Sequence, residues 1–338
     1  MIDLTVSSKS PAAISSAIKR IKEMVSTGSI KKDTPVHLTL ESGTYRELVR
    51  YNMSNPIVIE GASGNKPENC VIQADNCEAF NKGAENRSVF VIGPNATDVT
   101  LKNFTISNTH VKSLNGPENL DSGEALFFNN VNGLLTAENL VLEGRKNTLF
   151  LRGFSRFENC VISGDIDFIY GNVDTALFEN CEIRVRDDNR GDFPGFAVKS
   201  LALAEKTGFV FSGCRFTGEK RRRSHIYVCR TEGKGSADSK ENWDSIAFVN
   251  CFISDLFHEE LIFDEDMQLS VYPRGNNKTG IREYNTKVVR KNGSVEEADT
   301  TVRNIKSYTM TDENYYENYA SRYLILRNTP FEKKLASN

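Results

Sequence analysis

The stretch with the most chemistry in it is Gly164-Asp165-Ile166-Asp167-Phe168-Ile169-Tyr170-Gly171. It sets two carboxylates inside an apolar, aromatic run that ends in glycine. Burying a carboxylate is unfavourable unless it is paired or put to use. In strand geometry side chains alternate, so Asp165 and Asp167 are expected on one face and Ile166 and Phe168 on the other. An acid held among Ile, Phe and Tyr suits a nucleophile or general base. The same pair at a solvated strand edge would do no chemistry, and the octapeptide by itself leaves both readings open.

The other reactive residue types point away from chemistry. Asp187-Asp188 and Asp192 form an acidic cluster without calcium-loop spacing and read as a surface loop. His110, His225 and His258 stand alone, with no H-x-H pattern, so no metal site is expected. The seven cysteines fall in no CxxC spacing. The basic run Lys220-Arg221-Arg222-Arg223 is short and loop-like. With 42 Lys and Arg against 45 Asp and Glu, the net charge is −3. That gives no electrostatic case for nucleic acid or an anionic membrane. No run reaches the roughly 18 apolar residues of a membrane span. The first residues lack the basic and apolar regions of a signal peptide, so a cytoplasmic location with reduced thiols is the expectation, or a secreted one if a leader has been removed.

The elements that must position these residues are mostly short strands. Leu38–Leu40, Ile57–Ile59 and Val89–Ile92 are β-branched or apolar runs bounded by Gly, Asn and Asp. One helix is predicted near the N-terminus. Ser10 is placed as its N-cap and Pro11 at its first turn, and Gly28 stops it. Ile14, Ala17, Ile18, Ile21, Met24 and Val25 form one apolar stripe along it. A Tyr-rich segment, 314–326, predicts a second helix or a packed arm.

A repeat organises the whole. Phe157-Glu158-Asn159-Cys160-Val161-Ile162 recurs as Phe178-Glu179-Asn180-Cys181-Glu182-Ile183, with looser copies elsewhere. Their fourth positions, Phe104, Leu140, Cys160, Cys181, Cys214 and Cys251, lie 36, 20, 21, 33 and 37 residues apart. A period in the twenties, lengthened where loops are inserted, is the signature of a parallel β-helix. Each coil then places its Phe, Cys and Ile on the inner face, with the cysteines as small core residues. The Asn before each Cys is expected at a turn, bonding local backbone.

With the repeat in place, the chain resembles the pectinesterase (pectin methylesterase) family. Gly43-Thr44-Tyr45-Arg46-Glu47 is similar to its G-x-Y-x-E, Gly164 to Gly171 to its G-T-V-D-F-I-F-G, and Arg282-Glu283-Tyr284-Asn285-Thr286 to its late G-E-Y-x-N-T. The resemblance implies an all-β, right-handed parallel β-helix with an N-terminal capping helix. It also implies metal-free hydrolysis of polygalacturonate methyl esters. An aspartate attacks the ester carbonyl, a second donates the leaving-group proton, glutamines line the oxyanion site, and an arginine orients the nucleophile. Asp167 falls on the nucleophile and Arg230 on the arginine, although the rest of the G-R-P-W motif is absent.

Three catalytic-type positions depart from that pattern. The family's Q-D-T-L reads Lys146-Asn147-Thr148-Leu149 here, and the glutamine of Q-A-V-A-L is Glu124. Asn147 has no titratable proton and cannot be a general acid. A carboxyl at Glu124 close to Asp167 would resist ionising alongside it, so a protonated Glu124 could replace the missing acid. Lys146 could then serve as the oxyanion donor. The competing outcome is a Glu124–Lys146 salt bridge in a degenerate site.

The reading is one domain: residues 1–30 as helix cap, about 35–290 as coils, and 291–338 as a C-terminal arm. Its function is a cofactor-free carbohydrate esterase, with a carbohydrate-binding β-helix lacking turnover as the alternative and a lyase on the same scaffold as a weaker one. The partner is a pectin-derived oligogalacturonide or related uronic-acid sugar, bound by a monomer. Phe150, Phe168, Tyr170 and Trp243 are the rings expected to line the cleft, because sugar faces stack on aromatics.

Overall fold

A hexapeptide that recurs once per coil can bury its apolar side chains only against the same positions of the next coil, and the chain does this. The structure, a computed structural model, describes residues 1–62, 66–113, 116–187, 194–202, 206–220, 225–231, 244–264, 277, 280–304 and 307–335. Their strands form two ladders, one of seventeen strands and one of ten. Pairing is parallel throughout except where Lys287–Val289 meets Val295–Glu297 and closes the smaller ladder as a hairpin. The expected parallel β-helix is borne out.

The repeats stack in register. Phe157 lies opposite Phe178, and Phe178 opposite Phe211. Their rings stack with centroids 4.7 and 4.8 Å apart, the spacing of neighbouring strands. Ile162, Ile183, Phe216 and Ile253 make a parallel inner row. Cys160, Cys181, Cys214 and Cys251 are buried, unbridged members of the same core.

The asparagines do more than turn the chain. Asn103, Asn139, Asn159, Asn180, Asn250 and Asn285 all have φ between 50 and 61°, a left-handed conformation that Asn tolerates better than most residues. Asn103, Asn139 and Asn285 bond to the coil before, not to local backbone, while Asn250 donates to the Tyr315 hydroxyl at 3.0 Å. Asn139 donates to Asn103 at 2.8 Å and Asn285 to Asn250 at 2.8 Å. A corner residue repeated in register meets its own kind above and below, which the local sequence alone does not reveal.

The N-terminal helix runs Ala13–Ser26 and buries Ile14, Ala17, Ile18 and Ile21 against the first coils. Its cap corrects the expectation of Ser10. The N-cap position is Ala12, at φ 47°, with no capping side chain of its own. Glu47 supplies the cap from a later coil, accepting from the backbone N–H groups of Ile14 at 3.0 Å and Ser15 at 2.9 Å. A carboxylate at a helix N-terminus is also favoured by the helix dipole. At the other end, short helices Asp312–Asn318, Arg322–Leu326 and Glu332–Leu335 lie along the outer face of the large ladder. There Tyr319, Ile325, Leu326 and Phe331 cover Leu177, Val210 and Ala247. Arg322 fastens the arm, bonding Glu158 at 2.9 Å and Glu179 at 2.7 Å.

Replacing Phe178 by Ala should remove the middle ring of this stack and lower unfolding free energy by about 3–5 kcal/mol. Urea denaturation of the variant beside the parent chain measures it, and a loss under about 1 kcal/mol would contradict the core position.

Candidate active site

The long strand Ile166–Glu179 carries the site, and its start is not regular. Against the next coil Ile166 pairs with Phe196 and Ile169 with Val198, so Asp167 and Phe168 together oppose one residue. This is a β-bulge. Asp167 sits at φ 46°, a conformation that costs a non-glycine residue roughly 1–3 kcal/mol and recurs at functional sites. The bulge breaks the expected alternation. Phe168 and Ile169, consecutive in sequence, both join the inner core. The glycines of the segment make this possible. A Cβ on Gly164 would fall 2.3 Å from Phe168 Cβ, and one on Gly171, itself at φ 145°, only 1.9 Å from the Leu151 carbonyl oxygen.

Asp167 is 3% exposed and gripped on both oxygens by one guanidinium. Arg230 Nε donates to Oδ1 at 2.8 Å and Nη2 donates to Oδ2. The two-point geometry fixes the carboxylate plane as a single bond would not. Arg230 in turn lies over the Phe196 ring, 5.1 Å from its centroid. A second cation, Lys199, brings Nζ within 3.9 Å of Asp167 Oδ2. Asp165 takes a different partner: Lys112 Nζ lies 3.1 Å from its Oδ2, and both side chains are fully buried. The two aspartates thus belong to separate ion pairs rather than to one shared acid dyad.

Glu124 and Asn147 come together one coil apart. Ala125 N–H bonds the Thr148 carbonyl, and Asn147 N–H bonds the Ile166 carbonyl. Glu124 has no exposed surface, and its ion-pair partner is Arg87. Arg87 Nη2 donates to Oε1 at 2.5 Å and Nε to Oε2 at 2.9 Å, while Nη1 reaches Glu78 at 2.7 Å. The Tyr170 hydroxyl donates to Glu124 Oε1 at 2.5 Å. Both carboxylate oxygens are therefore acceptors of charged or hydroxyl donors. Its partners are thus Arg87 and Tyr170 rather than the expected Lys146. Burial works against the Arg87 cation, but the hydrogen bonds and charge of Glu124 outweigh it and hold the guanidinium above its ordinary range. Lys146 is partly exposed and paired in strand fashion with Ile166. Asn147, at φ 69°, lies against the Tyr170 hydroxyl.

The rings also differ from expectation. Phe127, Phe150 and Tyr170 occupy one outward row in register. Phe150 is stacked against Phe127 on one side and Tyr170 on the other, both at 4.3 Å. Both its faces are used, so it offers a sugar an edge rather than a platform. Phe168 is in the core and is not a cleft residue. Trp243 lies outside the described residues, as do Asp188 and Asp192. Among the described residues no three His, Cys, Asp or Glu side chains converge as a cage for a metal ion.

Sequence reasoning passed over Arg87, Lys112 and Lys199. Lys199 carried the same signal as Asp167, an ionisable residue in an apolar strand, Gly195–Ser200. Arg87 carried none, being one arginine in a polar turn 37 residues before its partner.

Comparison with known proteins places the chain among relatives. The Pectinesterase family model matches residues 7–234. Probable pectinesterase/pectinesterase inhibitor 21 of Arabidopsis thaliana is 27% identical over 247 residues, covering 70% of this chain and 33% of that protein. The chain thus spans about a third of the length of that relative. Pectin methylesterase from Yersinia enterocolitica superposes with TM-score 0.65 at 20% identity, over 90% of this chain and 97% of that one. A pectin methylesterase crystallised with a hexasaccharide gives TM-score 0.67 at 19% identity, over 97% and 98%. At these identities the structures speak for the fold.

Burial raises the Tyr170 hydroxyl well above its usual pKa, and the charge and hydrogen bond of Glu124 add to it. The folded chain therefore keeps a proton that the unfolded chain sheds near pH ~10. Stability from this group is complete below that pH and is lost as pH rises further. Tyr170→Phe should flatten the fall of unfolding free energy between about pH 9 and 11. Urea titrations across that range test it, and an unchanged slope would refute the assignment.

Proposed function

Because the chain belongs to the pectinesterase family, we propose that it hydrolyses methyl esters of galacturonate oligosaccharides, with Asp167 as the attacking nucleophile. The observation that carries this reading is the bulged, left-handed Asp167 held at both oxygens by Arg230. A strained carboxylate, nearly closed to solvent, with its plane fixed by a guanidinium, is built for attack along one direction. A structural ion pair would need neither the bulge nor the strain.

The surroundings support that substrate class. Lys199, Arg230 and Arg152 put positive charge along the outward row beside the site. Free carboxylates of a partly esterified uronic-acid chain would find partners there. The relative bound to a hexasaccharide makes an oligosaccharide of several sugars the natural probe. Glu124 pairs with Arg87, and the Tyr170 hydroxyl bonds to Glu124.

Methyl-esterified oligogalacturonides incubated with the protein should release methanol, with acetate release as the check on ester type. Asp167→Asn should lower turnover by at least about 10³-fold, as removal of a nucleophile does. Unchanged methanol release in that variant would remove Asp167 from the mechanism. No release from the parent chain would leave a carbohydrate-binding β-helix instead.

A further inference from the structure

The reaction proposed above needs a proton for the departing methoxide, and the residues at the acid positions do not supply it. Asn147 has none to give. Glu124 accepts from Arg87 and Tyr170 on its two oxygens. The Tyr170 hydroxyl is committed to Glu124, and ionising it there would set a phenolate 2.5 Å from a carboxylate.

Lys199 fits the task. It stands beside Tyr170 in the adjoining coil, at the end of the outward row, with Nζ 3.9 Å from Asp167 Oδ2. Its side chain is 14% exposed, so it is largely covered while its ammonium lies close to Asp167. Resting on that esterase reading, we infer that Lys199 is the proton donor and acceptor of this site, in place of the carboxylic acid that position 147 lacks.

The charge balance turns this position into a switch. At rest, the Asp167 carboxylate lies against two cations, Arg230 and Lys199. When a carboxylate oxygen of Asp167 bonds to the ester carbonyl carbon, Asp167 loses its negative charge. That charge passes to the carbonyl oxygen, and when the oxyanion collapses two cations would be left facing a neutral acyl group and a departing methoxide. Transfer of one proton from Lys199 relieves that repulsion. The bond from the acyl carbon to the methoxy oxygen breaks, the methoxy oxygen takes the Lys199 proton, and methanol leaves. Lys199 is now a neutral amine beside a mixed anhydride. Water attacks the acyl carbon and gives one proton to the amine. The bond to the Asp167 oxygen breaks and restores the Asp167 carboxylate. The product acid leaves as carboxylate with its proton released to solvent, and Lys199 is again an ammonium. The net reaction is ester plus water giving carboxylate, methanol and a proton.

Arginine keeps the positive charge of Lys199 but does not release a proton in proteins, so Lys199→Arg separates charge from proton transfer. Methanol release by Lys199→Arg and Lys199→Ala should fall by about 10²–10⁴-fold in kcat, with KM little changed. Added ethylammonium should restore part of the turnover of Lys199→Ala, whereas tetramethylammonium, which has no N–H, should not. In a Lys199→Ala background, Asn147→Asp should also raise turnover, because a carboxylic acid returns to the other side of the site. Parent-like kcat in Lys199→Arg, or equal rescue by the two ammonium ions, would overturn the proton role and leave the esterase reading standing. Absence of methanol release from the parent chain would overturn both.

Discussion

The constraint on which this molecule depends is stacking in register. Each strand pairs with the matching strand of the coils before and after it, so each side chain meets what occupies its own position one coil away. Inside, this makes continuous rows of Phe, Cys and Ile. At the corners it makes a run of left-handed asparagines whose side chains bond from coil to coil. Outside, it makes the row Phe127, Phe150 and Tyr170, whose rings satisfy one another before any ligand arrives. The site is a local exception in that lattice. The bulge at Asp167 and Phe168 turns one extra side chain inward and leaves a carboxylate at the surface of the ladder, held by a guanidinium.

Electrostatics limits what can replace what at such a place. A glutamate in a buried position carries a charge that must be matched. Glu124 is matched by Arg87, which is itself shared with Glu78. The same logic holds at Asp165 with Lys112 and at Asp167 with Arg230 and Lys199. The region is thus organised as neighbouring ion pairs rather than as a carboxylate dyad sharing a proton. Breaking any one by removing a single partner leaves the other charge buried, a heavier penalty than the pair itself contributes to stability. These pairs tie coils together at the point where the ladder is least regular.

Much of this was legible in the chain. The repeat spacing foretold the parallel β-helix, and the Phe, Cys and Ile of each repeat were read as core because one period served several coils. The apolar stripe from Ile14 to Ile21 foretold the helix, and Gly28 its end. The run from Gly164 to Gly171 marked the centre of the candidate site, since glycine, carboxylate and aromatic residues in that order are poorly suited to an ordinary strand. All of these are signals carried within a few residues or within one period.

Other features were decided only by the tertiary structure. Glu47 caps a helix 33 residues earlier. Arg87 meets Glu124 across 37 residues, Tyr170 meets Glu124 across 46, and Arg230 meets Asp167 across 63. Which positions fall opposite one another depends on the length of every loop between them, and no local pattern records that sum. The bulge shows the same limit at short range. Strict alternation assigns Phe168 to the face of Ile166, yet one added residue in the register places Phe168 beside Ile169 in the core. The sequence by itself determined which residues could do chemistry and what scaffold would hold them. Their partners were settled by the register in which the coils stack.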